Sequence, residues 1–281
     1  MKSVAFVIIT LGTSQYLEPM LSFLSNSYRV IVVDNSVDRR CLQLNRRYNI
    51  QYIHEKRQGA SYARNTGASF VKNEDYIYFL DDDLSLTEEW ASELLNVLKS
   101  PCLYDVVGGK VIAEYSLKTQ IPRKYIYLVG GKDLGNTSFR LKHDYLGGCN
   151  LLVRRTTFSK LGGFDTDYGH KGTAIGLNED VNFQEKIRRI NGLIQYNPKL
   201  LFIHHWKGSI SDIEHRVQLQ GIYDRKTDLS YNRFRFIMRM IKYTLWLFSF
   251  TYSKNDDLDD EKHYDYLRYS AYVRNSAKKQ N

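Results

Sequence analysis

The chain has 281 residues, 43% of them hydrophobic and 25% charged, with a formal net charge of +9. That length suits one large α/β domain, alone or with a small extension, and the apolar fraction excludes wholesale disorder. The positive balance favours anionic partners; nucleic acid ranks below nucleotide phosphates and an anionic membrane, because no zinc spacing or nucleic-acid motif accompanies it. Three scattered cysteines, Cys41, Cys102 and Cys149, fit a reducing compartment better than a disulfide framework. The first apolar run, Val4–Ile9, is too short for a secretory signal, and no run is long enough to span a bilayer, so the expected location is cytoplasmic.

In chain order, Val4–Thr10 is a continuous apolar strand of the kind buried on both faces of a parallel sheet. A turn at Gly12-Thr13-Ser14 leads to a helix over about Gln15–Ser25, and a second strand, Arg29–Val33, ends in Asp34-Asn35-Ser36. A helix near Arg39–Tyr48, a short strand Ile50–His54 and a helix over Gly59–Lys72 follow. The strand beginning at Asp75 then ends in three consecutive carboxylates, Asp81-Asp82-Asp83. Like charges packed so closely repel, and hard carboxylate oxygens suit Mg²⁺ or Mn²⁺, which keeps coordination positions for water and substrate phosphates. The competing reading is an acidic turn before a helix, since Ser85, Thr87, Glu88 and Glu89 look like a helix start. Alternating strands and helices imply a doubly wound α/β fold with a mostly parallel sheet, whose ligands sit beyond the carboxyl ends of the strands. Thr10, Asp34, the Arg57–Asn65 stretch and Asp81–Asp83 all fall at that edge, and neither a dinucleotide fingerprint nor a P-loop is present.

Four motifs carry a resemblance. The first strand ends in Thr10, and then come Val-Val-Asp-Asn-Ser (32–36), Gly-Ala-Ser-Tyr-Ala-Arg-Asn-Thr-Gly (59–67) and Phe-Leu-Asp-Asp-Asp (79–83). Together they resemble the nucleotide-binding half of glycosyltransferase family 2, whose members are metal-dependent, typically inverting transferases of GT-A fold. One departure stands out: Thr10-Leu11-Gly12-Thr13 replaces the family's usual Pro-Thr-Tyr-Asn. The resemblance implies that Asp34 contacts a uracil-type base and that Arg64 supports the base or the phosphates. It also implies that Asp81 approaches the nucleotide and ribose, that Asp83 ligates the metal, and that Asp82 can substitute for either. Against these stand plainer readings: Asp34 as a turn-forming residue and Arg64 in an ion pair.

In the second half, Glu88–Leu98 is an amphipathic helix and Val106–Ile112 a strand, before an irregular stretch over about 114–143 that suits a lid, a binding loop or a surface excursion. A Gly-led strand over Tyr145–Arg155 precedes Gly-Gly-Phe-Asp (162–165) and Asn178-Glu179-Asp180. This trio again resembles family 2, and it implies Asp180 as the general base, with Glu179, Gly148 and Asn150 on the acceptor side. A helix N-terminus lowers a carboxylate's pKa, whereas the neighbouring Glu179 raises it. Leu200–Ile203 leads to His204-His205, of which strand alternation lets only one face the site. By resemblance, His204 is the third protein contact to metal or diphosphate, and a buried core histidine is the plainer reading. Between Arg233 and Tyr252, Arg235, Arg239 and Lys242 share a helical face beside Phe236, Met240, Tyr243, Leu247 and Phe248. That stretch suits an anionic membrane surface or packing on the catalytic domain.

The expectation is therefore a GT-A catalytic domain over 1–207, divided into a nucleotide-binding half (1–100) and an acceptor half (101–207), with a helical extension over 208–281. The expected activity is inverting transfer from a nucleotide-diphospho-sugar, a UDP-sugar favoured, to the hydroxyl of a glycan or lipid-linked acceptor, with Mn²⁺ or Mg²⁺. A nucleotidyltransferase on a related fold and a catalytically silent sugar-nucleotide-binding scaffold are the alternatives.

Overall fold

The structure is a computed structural model that describes residues 1–117, 120–169, 176–227, 238, 241 and 256–277. Its runs of β-branched and aromatic residues pair into one nine-stranded sheet, of order β3-β2-β1-β4-β8-β6-β9-β5 with β7 on β9. The strands are β1 Val4–Thr10, β2 Arg29–Asp34, β3 Gln51–His54, β4 Tyr76–Asp81, β5 Leu84–Ser85, β6 Val106–Tyr115, β7 Phe139–Arg140, β8 Asn150–Arg154 and β9 Ile194–Trp206. The first four run parallel, and their register sets Thr10 beside Asp34, Asp34 beside His54 and Ile9 beside Asp81. Their carboxyl ends thus form one edge. β8 runs antiparallel to β4 with Asn150 opposite Leu80, and β9 runs antiparallel to β5 with His204 opposite Leu84. Both pairings return to the same edge.

The sheet is buried on both faces. Phe6, Ile8, Tyr78 and Leu80 meet α1 (Leu17–Leu24) and α3 (Glu88–Lys99) on one side. Val7, Val33 and Phe79 meet α2 (Ala60–Ser69), α4 (Arg155–Lys160) and α5 (Glu179–Arg189) on the other. The Thr87 hydroxyl caps α3 by accepting from the Trp90 N–H.

Two expected elements needed correction, and the strand ending in the two histidines extends well before Leu200. The helix expected near 39–48 shrinks to a 3₁₀ turn, Leu42–Arg46, because Arg39 lies at φ 55 and the Cys41 N–H donates to Asp34 rather than to a helical carbonyl. Residues 194–206 form one strand through Pro198, with the Asn197 Oδ1 taking the Lys199 N–H. The end of the expected 145–155 strand begins α4 instead.

The chain divides into two compact units. The first comprises Met1–Glu114, Gly130–Ala174 and Asn178–Trp206 and contains the sheet. The second comprises Tyr115–Val129, Ile175–Leu177 and Lys207–Asn281. It holds a 3₁₀ helix (Arg123–Val129), α6 (Ile210–Thr227) and α7 (Asp256–Ala277). In this unit a Cβ on Gly221 would collide with the Arg268 carbonyl, so α6 and α7 cross closely there. Buried Asp265 accepts from the Lys124 ammonium and the Tyr125 hydroxyl, and the Arg268 Nε donates to Asp224 at 2.7 Å. The basic stretch expected at 233–252 lies outside the described residues, apart from Met238 and Ile241.

Candidate active site

The three carboxylates occupy the turn between β4 and β5. The pairing of β5 with β9 fixes the far side of that turn. The Asp82 carboxylate accepts from the Thr10 hydroxyl, and its carbonyl accepts from the Ser14 hydroxyl at 2.6 Å. Burial, with the charges of Asp83 and Asp81 adding to it, pushes the Asp82 carboxyl up to about 7. The Asp83 carbonyl accepts the His205 N–H at 2.9 Å, while its side-chain Oδ1 lies 3.3 Å from the His204 Nε2.

Arg64, on α2, is only 3% exposed. It donates from Nη2 to Asp81 Oδ1 at 2.8 Å and from Nη1 to Glu179 Oε1 at 2.7 Å. One buried cation thus joins the carboxyl end of β4 to the first turn of α5. The backbone of Asn178, left-handed at φ 69, opens α5 and sets Glu179 and Asp180 in that turn. Asp180 Oδ1 accepts from the Val181 N–H at 2.8 Å, and a Cβ on Gly148 would stand 3.2 Å from Oδ2. Gly148 therefore admits the carboxylate. Burial first, and then the charge of Glu179, pushes the Asp180 carboxyl up to about 7. The helix terminus pulls the other way and loses.

The two histidines part as alternation requires. His205 places Nε2 2.6 Å from the Ser85 hydroxyl, meets Glu114 through Nδ1 and stacks on the Tyr16 ring at 3.7 Å. His204 faces Asp83.

Three of the expected site residues are engaged inside the protein. Asp34 is fully buried, and its carboxylate accepts from the Ser36 N–H and hydroxyl, the Cys41 N–H and the Tyr52 hydroxyl. It holds the loop after β2 together. Arg64 is enclosed by its two carboxylates. Asn150 is fully buried in the core, with Oδ1 accepting from the Tyr78 hydroxyl at 2.7 Å and Nδ2 donating to the Leu200 carbonyl at 2.8 Å. Thr10, Asp81, Asp82, Asp83, Gly148, Glu179, Asp180 and His204 all lie at the carboxyl edge. Sequence reasoning missed Asn65, whose amide pairs with both the N–H and the carbonyl of Phe164 at 2.9 and 2.8 Å. Both motifs were visible in the chain, but nothing in either says that it binds the other.

Among the described residues, no three His, Cys, Asp or Glu side chains gather as a complete cation cage. Asp83 and His204 together still fit a shared cation: an octahedral Mn²⁺ or Mg²⁺ takes few protein groups and fills its remaining positions from diphosphate and water.

The family model described as "Glycosyl transferase family 2" matches residues 5–162. This chain belongs to glycosyltransferase family 2. It is similar to the glucosyl-dolichyl phosphate glucuronosyltransferase of Haloferax volcanii, 26% identical over 127 residues. That match covers 44% of this chain and 40% of the relative, so the chain aligns with less than half of that protein's length. Among solved structures it is similar to GalNAc-T7 with UDP, GalNAc and Mn²⁺ (TM-score 0.52, 12% identity, 95% of this chain and 54% of that one). It is also similar to the mannosyltransferase PcManGT of Pyrobaculum calidifontis in complex with GDP-Man and Mn²⁺ (TM-score 0.54, 14% identity, 99% and 75%). These likenesses establish the GT-A fold of this family 2 member.

Proposed function

We propose that this family 2 protein transfers a sugar from a nucleotide-diphospho-sugar to an acceptor hydroxyl with inversion, using Asp180 as the base. The observation that carries this reading is the Asp180 carboxylate, held against Gly148 with its pKa raised to about 7, at the same sheet edge as Asp81–Asp83. A general base works best with a pKa near the operating pH. Asp180 takes the acceptor's hydroxyl proton as that oxygen attacks the anomeric carbon, and the bond from that carbon to the diphosphate oxygen breaks, releasing a nucleoside diphosphate. Asp81, steadied by Arg64, faces the ribose side of the donor. Asp83 and His204 would hold a divalent cation, which supplies charge neutralisation at the departing diphosphate. With Asp34 engaged in its own loop, the preference for a uracil base loses its support, and the two solved relatives hold UDP in one case and GDP-Man in the other. A lipid-linked or glycan acceptor fits the net charge of +9 and the name of the Haloferax relative. Residence on the inner face of a membrane remains part of this proposal; among the described residues no helix is long and apolar enough to cross one.

The test is incubation with Mn²⁺ or Mg²⁺ and a panel of UDP-, dTDP- and GDP-sugars. Slow, metal-dependent release of one nucleoside diphosphate is expected. Tight binding of a sugar nucleotide without release, even with acceptor glycans present, would point instead to the silent scaffold.

A further inference from the structure

The His204 ring packs closely against a residue outside the acid turn. Its Nε2 faces Asp83 Oδ1 at 3.3 Å. Over the face of the ring, beside Nδ1, lies Gly130, at φ +86. A Cβ at this position would stand 2.6 Å from Nδ1, 2.7 Å from Cε1 and 2.8 Å from Cγ of His204, all closer than real Cβ contacts. The imidazole thus has bare backbone over its ring face beside Nδ1 and a carboxylate at its Nε2 edge. Lateral movement is limited as well, because the next residue, His205, is held by Ser85 and by the Tyr16 ring. A methyl group on Gly130 would force the ring to shift or turn, and a shift of a few tenths of an ångström alters how it shares a cation with Asp83.

We propose that Gly130 is a positioning residue for metal-dependent nucleotide binding, its missing side chain providing the seat in which the His204 imidazole faces Asp83. This rests on the reading above that Asp83 and His204 share a cation. Residues that orient a metal ligand without touching the metal change affinity by roughly 10–100-fold when altered. The chain also supplies its own control. Gly135 has a similarly left-handed backbone, φ +106, yet a Cβ there would meet nothing within 4 Å. Alanine at Gly135 therefore carries the backbone strain without the collision.

The experiment measures binding of UDP and of GDP by calorimetry across a Mn²⁺ titration, together with thermal unfolding of the metal-free protein. The proteins are wild type, Gly130→Ala, Gly135→Ala, His204→Ala and the Gly130→Ala/His204→Ala double variant. Gly130→Ala should weaken Mn²⁺-dependent nucleotide binding about 10–100-fold, and Gly135→Ala should leave it unchanged. The loss caused by Gly130→Ala should disappear in the His204→Ala background, because the two act through one ring. Normal binding by Gly130→Ala, equal losses at both glycines, or an undiminished loss without the imidazole would each overturn the proposal. If Gly130→Ala fails to fold, recovery of folding in the double variant supports it, and continued failure overturns it. A wild type that binds neither nucleotide with Mn²⁺ sinks the proposed function and this inference with it; a metal-dependent wild type with a normal Gly130→Ala sinks the inference alone.

Discussion

Asp180 shows how one residue's surroundings override its local sequence context. The start of α5 should stabilise its charge, yet burial and Glu179 push the carboxyl from 3.8 up to about 7. A base must be ionised to accept a proton, so transfer should rise with pH through about 7 and fade below it. The same shift bears on stability with a defined sign. The folded protein holds the Asp180 proton more tightly than the unfolded chain, so stability falls as pH climbs from about 4 through 7. Asp180→Asn should therefore lower transfer by about two to four orders of magnitude while keeping donor binding. Its melting temperature should exceed the wild type's at pH 8, with a smaller gain at pH 5. Near-normal turnover, or no pH-dependent gain, would remove Asp180 from this role. Asn150 makes the opposite case. Its amide joins Tyr78 to the Leu200 carbonyl, and the Trp90 Nε1 donates to the same Tyr78 hydroxyl at 3.1 Å. Asn150→Ala strands two buried polar groups, so urea unfolding followed by tryptophan fluorescence should show a loss of about 2–4 kcal/mol. Unchanged stability with impaired transfer would return Asn150 to the acceptor side.

At the scale of elements, α2 is the strut of the site. Arg64 ties β4 to α5, and its neighbour Asn65 ties the same helix to Phe164. Removing the cation would leave Asp81 and Glu179 as like charges without the guanidinium they share, and a broken buried ion pair costs about 3–5 kcal/mol. Arg64→Leu should therefore unfold at markedly lower urea than the wild type, besides losing activity. A variant of wild-type stability with only a raised KM for the donor would restore Arg64 to the nucleotide. β9 illustrates the role of strand alternation, since one side of its end delivers His204 to Asp83 and the other locks His205 between Ser85 and Tyr16.

At the scale of the whole molecule, the +9 charge and the basic-aromatic stretch 233–252 lead to a prediction about membrane binding. Each basic residue near an anionic leaflet contributes roughly 1 kcal/mol, so Arg235, Arg239 and Lys242 with their apolar neighbours should hold the protein reversibly on acidic lipid. Sedimentation with anionic vesicles should bring the protein down at low salt and release it at high salt, while neutral vesicles leave it in the supernatant. Protein that stays in the supernatant with anionic vesicles at low salt would end the membrane reading.

Strand identity and the carboxyl edge that carries the candidate site followed from local signals. Apolar runs such as Val4–Thr10 can only be buried strands, and polar clusters at their ends, Asp81–Asp83 above all, mark the carboxyl edge because a parallel sheet aligns those ends. Thr87 was readable as a cap, and the four motifs pointed to the family. What each polar side chain touches was decided only by tertiary structure. Asp34 and Asn150 look like site residues in the chain, but folding satisfies their hydrogen bonds internally and removes them from solvent. The chain gives no sign that Arg64 pairs with Glu179, which α5 brings to its Nη1 from 115 positions away in sequence. The Asp180 pKa depends on burial, which no spacing reports, and the bareness of Gly130 gains meaning only when β9 lays His204 against it. Local sequence dictates where the chain bends and pairs; partners and desolvation belong to residues that only the folded chain brings together.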